Sequence, residues 1–218
     1  MADTSTTVAD SDLTHDVRAQ VHAQLRPLFD PQANSTQYLL GAAAKDLELT
    51  ANEFFDQMLS FKLRPLPTED FIAATPFENL SILPSGPALE ELQAKLESRY
   101  KIYKLREALD ALEGYDEIFI DTPPALHFYT RSALIAADAC LIPFDCDEFA
   151  RRALYTLLDN VNEIRADHNA GLEVEGIVIN QFQARASLPQ QVVAELREEG
   201  LPVLASFLSS SVKIKESH

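Results

Sequence analysis

From Leu80 onward the chain alternates short apolar runs with longer amphipathic, charged stretches, and that rhythm restricts the folds open to it. Leu80–Leu83 reads as a strand, Ala88–Leu112 as a long charged helix with a break near Tyr100, and Glu117–Asp121 as a second strand. Thr130–Ala137 is predicted helical, Ala139–Pro143 a strand and Phe149–Asp167 a helix. Val174–Asn180 follows as a strand, Leu188–Glu199 as a helix and Pro202–Ala205 as a last strand, with Gly176 and Gly200 at or near element ends. Strands joined through helices return to the sheet in the same direction, by right-handed crossovers. The expectation is an α/β fold: a mostly parallel, doubly wound sheet covered on both faces. Ligands of such sheets gather at the carboxyl ends of the strands.

Upstream the pattern is less regular. Residues 1–12 are small, polar and acidic and read as a flexible tail, leaving 13–218 as a single domain. Val17, Val21 and Leu25 recur every four positions, predicting a helix from Leu13 that ends before Pro27. Gln37–Phe61 is helix-like with a split near Asp46–Thr50, and Arg64-Pro65-Leu66-Pro67 breaks it.

Composition excludes several classes. The net charge of −16 repels phosphate backbones unless basic residues cluster locally. No apolar run approaches the ~18 residues that a membrane span requires. The first residues lack the basic and apolar regions of a signal peptide, so the expectation is a cytoplasmic protein without a membrane partner. Cys140 and Cys146 have no further cysteines to form a framework and read as reduced thiols. The five histidines show no metal-binding spacing, and no Gly-x-Ser-x-Gly elbow supports a hydrolase.

Four clusters sit at predicted element ends. In Tyr115-Asp116-Glu117-Ile118-Phe119-Ile120-Asp121-Thr122-Pro123-Pro124 an apolar strand runs into an aspartate and a rigid diproline turn. This is the shape of a Walker B strand, whose carboxylate holds a magnesium-bound water; the same aspartate could simply cap the next helix. Asp30-Pro31-Gln32-Ala33-Asn34-Ser35-Thr36 is dense in groups that orient a water or a phosphate, and serves equally to cap a helix from Gln37. Asn180, leaving a strand, has the amide donor and acceptor that an adenine edge requires, or that a loop backbone requires. Asp145, Asp147 and Glu148 precede a helix carrying Arg151 and Arg152, which suits a helix start. No Gly-x-x-x-x-Gly-Lys-Ser/Thr phosphate loop occurs in the sequence.

Taken in order, the clusters resemble the ParA/MinD family of P-loop ATPases, specifically its ParA-like partition proteins, from about Asp30 to the C-terminus. Asp30 through Thr36 resembles the second half of an Asp-x-Asp-Pro-Gln-Gly-Asn-x-Thr motif. Ala74–Ser85 resembles the segment where the family's next strand begins, and Tyr115–Pro124 its Tyr-Asp-x-Ile-x-Ile-Asp-x-Pro-Pro element. Asp138–Pro143 resembles an Ala-Asp-x-x-x-Ile-Pro strand, and Asn180 with Phe182, Ala184 and Arg185 an Asn-x-Phe-x-x-Arg stretch. Val212–Ser217 resembles, imperfectly, an Asn-Val-Arg-x-Ser-Glu tail.

The resemblance implies a role for each matched position. Asp121 would hold magnesium through water, Asp30 would orient the attacking water, and Asn180, with Pro123 and Pro124, would bind the nucleotide. Arg185, Lys213 and Lys215 would be candidates for contact with nonspecific DNA. ATP and magnesium are the implied cofactors. The implied partners are a second copy in an ATP-dependent dimer, a ParB-like stimulating protein, and DNA. The departures are equally specific. Leu28 stands where the motif has its first aspartate, and Pro27 interrupts the apolar strand expected before it. A helix and an acidic tail occupy the place of the phosphate-loop strand, and the chain stops soon after Lys215, so the domain reads as incomplete at both ends. Two readings remain: a partition or positioning ATPase whose isolated chain hydrolyses poorly, and an inactive relative serving as a protein-interaction module.

Overall fold

A computed structural model describes residues 23–60, 63–183 and 186–209. The chain divides into two compact units, residues 1–129 and 130–218.

The first unit is built on four short strands in the order β2-β3-β1-β4: β1 Gln24–Pro27, β2 Ala73–Ala74, β3 Leu80–Leu83 and β4 Glu117–Ile118. β1 runs parallel to both β3 and β4, and the two-residue β2 pairs antiparallel with β3. Gln24 and Leu25 are therefore strand and not the end of a helix, which corrects the four-residue periodicity drawn through Leu25. The rest of that predicted helix, and the tail before it, lies outside the described residues.

Period-two burial decides the matter for β1. Leu25 and Pro27 are buried and Arg26 between them is exposed; beyond the strand's end Leu28 and Phe29 are both buried. Pro27 is tolerated in this interior strand because its carbonyl still accepts the Asp121 N–H at 2.9 Å. Parallel strands address alternate neighbours with alternate residues, so the one rung lost at Pro27 is the one toward the carbonyl of Phe119, just after β4.

Among its described residues this unit has the α-helices α1 Asn34–Leu40, α2 Ala51–Leu59, α3 Leu89–Ser98 and α4 Lys104–Asp110. The predicted splits are present. A 3-10 segment, Gly41–Asp46, follows α1, and α3 and α4 part around Tyr100, whose φ is 53°. Thr50 starts α2 with a reciprocal capping box: its side chain accepts from Asn52 N–H while Glu53 accepts from the Thr50 N–H at 2.9 Å. That cap aims Phe54 and Phe55 inward. Phe55 packs edge-on against Phe29 (5.3 Å) and Tyr129 (5.1 Å), and Phe54 against Phe71 (5.6 Å). The Tyr129 hydroxyl donates to the Leu89 carbonyl at 2.6 Å, so the buried phenol is satisfied.

Helix α5, Phe128–Ala136, begins at the boundary between the units. The second unit contains a parallel sheet in the order β5-β6-β7, formed by Ala139–Asp145, Glu173–Phe182 and Val203–Ser209. Two amphipathic helices, α6 Glu148–Asp167 and α7 Ser187–Glu198, pack with it. Ile142, Phe144, Leu154, Ile177, Ile179, Val192, Val193 and Leu196 form one buried cluster. A Cβ at Gly176 would stand 2.5 Å from the Leu204 side chain, which would have to shift. The predicted strands and helices of this region recur within a few residues of their expected ends. The architecture is α/β with mostly parallel strands.

Candidate nucleotide and metal site

The first-unit sheet sets the ends of β1 and β4 side by side. Leu28 bridges to Asp121, and the Phe29 N–H donates to the Asp121 carbonyl at 2.9 Å. Two residues beyond Leu28, the chain turns at Asp30. Its Oδ1 accepts the Gln32 N–H at 2.9 Å, and its carbonyl accepts both the Ala33 N–H (3.0 Å) and the Ser85 hydroxyl. This is an Asx turn, which aims the Asp-Pro-Gln segment without spending the second carboxylate oxygen.

None of these polar groups caps α1. The helix begins at Asn34 after Ala33, whose φ of 53° is left-handed, and no side-chain bond caps it. Ser35 instead donates its hydroxyl to Asp121 Oδ2 at 2.9 Å, and the buried Thr36 hydroxyl accepts the Ser85 N–H at 2.9 Å. The capping alternative for Asp30–Thr36 is thereby excluded, and Asp121 faces Ser35 rather than the start of α5.

Asp30, Ser35 and Asp121 are thus gathered at the carboxyl end of one sheet. A cavity of about 470 Å3 opens there, lined by Arg26, Leu28, Ser35, Tyr38, Leu39, Phe119, Ile120 and Asp121. One expectation needs correction: the strand leading to Asp121 is not buried. Among the described residues β4 is an edge strand, and Ile118 and Phe119 are 36% and 42% exposed.

The donor set suits a hard, hydrated cation. Among the described residues no group of three or more His, Cys, Asp or Glu side chains could hold a metal. Magnesium needs no such cage, because it keeps several waters and takes one or two carboxylates together with phosphate oxygens. Asp121, with one oxygen held by Ser35, fits that role.

The other predicted residues are distributed as follows. Pro123 and Pro124 follow Asp121 and Thr122 in a segment that is neither helix nor strand. Asn180 lies on β6 in the second unit, abreast of Asp145 on β5. The neighbouring Gln181 donates its amide to Asp145 Oδ2 at 3.3 Å and has a left-handed φ of 50°. Asp147 accepts the Ala150 N–H at 2.7 Å and caps α6, as expected of a helix start. Arg185, Lys213 and Lys215 lie outside the described residues. Burial raises the Cys140 thiol above its ordinary range, and burial with Asp145 and Asp147 raises that of Cys146, so both stay protonated and poorly nucleophilic.

The sequence matches the AAA domain family over residues 19–174. It is 30% identical over 156 residues to the chromosome partitioning protein ParA of Caulobacter vibrioides, covering 69% of this chain and 58% of that protein. It is 34% identical over 190 residues to the chromosome-partitioning ATPase Soj of Thermus thermophilus, covering 87% and 70%. A solved structure of cobyrinic acid a,c-diamide synthase from Mycobacterium smegmatis, with bound ATP analogue and magnesium, shares the fold. Its TM-score is 0.78 at 25% identity, over 89% of this chain and 78% of that one. This chain belongs to the ParA/MinD family. As a member of that family, it keeps the Asp-Pro-Gln turn and the strand-end aspartate in adjacent positions, although Leu28 and Pro27 replace the expected residues just before the turn. Ala33 stands in the family's glycine position and adopts the left-handed backbone that glycine would take without strain. The chain spans 58% of the length of its Caulobacter relative.

Two side chains at the site were not singled out from sequence. Ser85, from the loop after β3, ties the Asp30 carbonyl to the Thr36 hydroxyl. Arg26 enters the cavity from β1 and was hidden by the helix reading of that segment.

Proposed function

We propose that this chain serves in ATP-linked partitioning of DNA or positioning of cargo in the cytoplasm, and that on its own it binds magnesium nucleotide while hydrolysing it poorly. The observation that carries the reading is the Ser35–Asp121 bond, which sets a metal-competent carboxylate one strand from the Asp30 turn. Asp121 holds a metal-bound water, Asp30 orients the attacking water, and Asn180 with Pro123 and Pro124 contacts the nucleotide. Magnesium, when bound, neutralises charge on the phosphate oxygens. Poor hydrolysis follows from the absence of a glycine-lysine phosphate loop in this sequence, because phosphoryl transfer depends on phosphate grip as well as on metal and water placement. An ATP-dependent dimer, a ParB-like partner and nonspecific DNA complete the reading, with Arg185, Lys213 and Lys215 as the DNA contacts. Among the described residues no helix is long and apolar enough to cross a membrane.

Titration of a fluorescent ATP analogue with and without magnesium tests this. Micromolar, magnesium-dependent binding is expected, and Asp121→Ala should abolish the magnesium dependence; an unchanged titration removes Asp121 from the site. For DNA, a mobility shift that weakens with salt and is lost in Lys213→Ala/Lys215→Ala is expected, and no shift at low salt ends that part.

The second reading, an interaction module, is favoured by the exposed β4 edge with Ile118 and Phe119. Co-purification with an intact family member, together with no ATP binding, would select it.

A further inference from the structure

Arg26 occupies an unusual place for a cation. The register that sets Leu25 beside Ile118 sets Arg26 beside Phe119 and Leu28 beside Asp121. Alternate residues of a strand share a face, so Arg26, Leu28, Phe119 and Asp121 look out from the same side of the sheet. Ser35, Tyr38 and Leu39 of α1 line the cavity with them. Among the described residues, Arg26 is the cavity's one cationic side chain and Asp121 its one carboxylate.

The guanidinium is uncommitted. Among the described residues its recorded partner is the Phe119 ring, with the centroid 5.4 Å from its central carbon. It makes no hydrogen bond or ion pair there, and it does not reach Asp121 as a salt bridge. Five N–H donors in a planar fork therefore remain available, a geometry that matches two oxygens of a phosphate. The Phe119 ring fixes the direction of the fork while leaving its N–H edges open. The bland role for Arg26 would be neutralisation of Asp121, and that role predicts an ion pair which is not present.

We propose that Arg26 is a phosphate-contacting residue of the Asp121 cavity, gripping a magnesium-complexed chain of phosphates from β1. The proposal rests on the reading of Asp121 as the metal position. Two sources share this ligand chemistry: a nucleoside triphosphate and inorganic tripolyphosphate.

The test is calorimetric titration of the full chain with ATP, ADP, AMP and tripolyphosphate in magnesium, with folding of each variant checked by circular dichroism. Arg26→Gln should weaken ATP and tripolyphosphate binding by roughly tenfold or more, the scale of a lost charge-assisted contact, and should leave AMP nearly unchanged. Arg26→Lys, which keeps the charge but loses the fork, should fall between. Binding of manganese alone, read by electron paramagnetic resonance, should be unchanged in Arg26→Gln. Should it strengthen while ATP binding holds, Arg26 is a neutralising neighbour and the proposal fails. If Arg26→Gln binds magnesium-ATP like the wild type while Asp121→Ala does not, the proposal fails and the metal reading stands. Arg26-dependent binding of tripolyphosphate to which adenosine adds nothing upholds the proposal and removes the nucleotide. If neither ATP nor tripolyphosphate binds the wild type, both fall.

Discussion

The two units solve the same problem, a parallel sheet with helices, by different means. In the second, longer strands of seven, ten and seven residues contribute Ile142, Phe144, Ile177 and Ile179 to a mostly aliphatic buried cluster. In the first, strands of two to four residues are too short to define a core, and aromatic rings from α2, α5 and the segment after β1 take over. Short strands leave room at their ends for loops that carry chemistry, and Asp30, Ser35, Ser85 and Asp121 all lie in this unit. The lesson is that a ring cluster can fix a sheet whose own strands are weak.

The most direct way to break this contrast is Phe55→Ala. Phe55 is fully buried and touches Phe29, Phe54, Phe128 and Tyr129, so its loss should cost about 3–5 kcal/mol in denaturant unfolding. A cost below about 1 kcal/mol would show that the rings are not the organiser. In the second unit, Gly176→Ala should cost about 1–3 kcal/mol, because the new methyl meets Leu204 within a packed β6–β7 pair. Ala33→Gly should act in the other direction, raising stability by up to about 1 kcal/mol as the left-handed φ is relieved. A lower melting temperature in that variant would contradict the strain.

The smallest effect expected is an acid limb from the second unit. The Gln191 amide and then Arg151 hold the Glu195 carboxyl below the ordinary carboxylate range. A depressed folded pKa means that the stabilisation is present above the unfolded value and is lost as pH falls through the folded one. Glu195→Gln should therefore flatten the loss of stability below the ordinary carboxylate range, as read from melting temperature against pH; an unchanged acid limb would sink this assignment.

Most of the second unit was legible because its strands are long, β6 is rich in Val and Ile, and helices bound them, one of them capped by Asp147. Leu80–Leu83 and the break near Tyr100 were legible for similar local reasons. β1 was not. Of its two buried strand positions, Leu25 also fits a helical spacing with Val17 and Val21, and Pro27 argues against an interior strand. Partners more than fifty residues away, Leu80–Leu83 and Glu117–Ile118, define it. The aspartates of the site could be read from motif, but the bond from Ser35, five residues after Asp30, to Asp121 spans 86 residues and has no local signal. β2 is too brief to leave any pattern.

Pro27 has one further consequence. The residue above it is doubly tethered, since Asp121 gives its N–H to the Pro27 carbonyl and takes the Phe29 N–H on its own. Below that level no rung from β1 reaches the Phe119 carbonyl. The edge is thus held at two levels, by the Phe119 N–H on the Leu25 carbonyl and by the Asp121 N–H on the Pro27 carbonyl, with one rung missing between them, and the carboxylate sits on the more firmly clamped end.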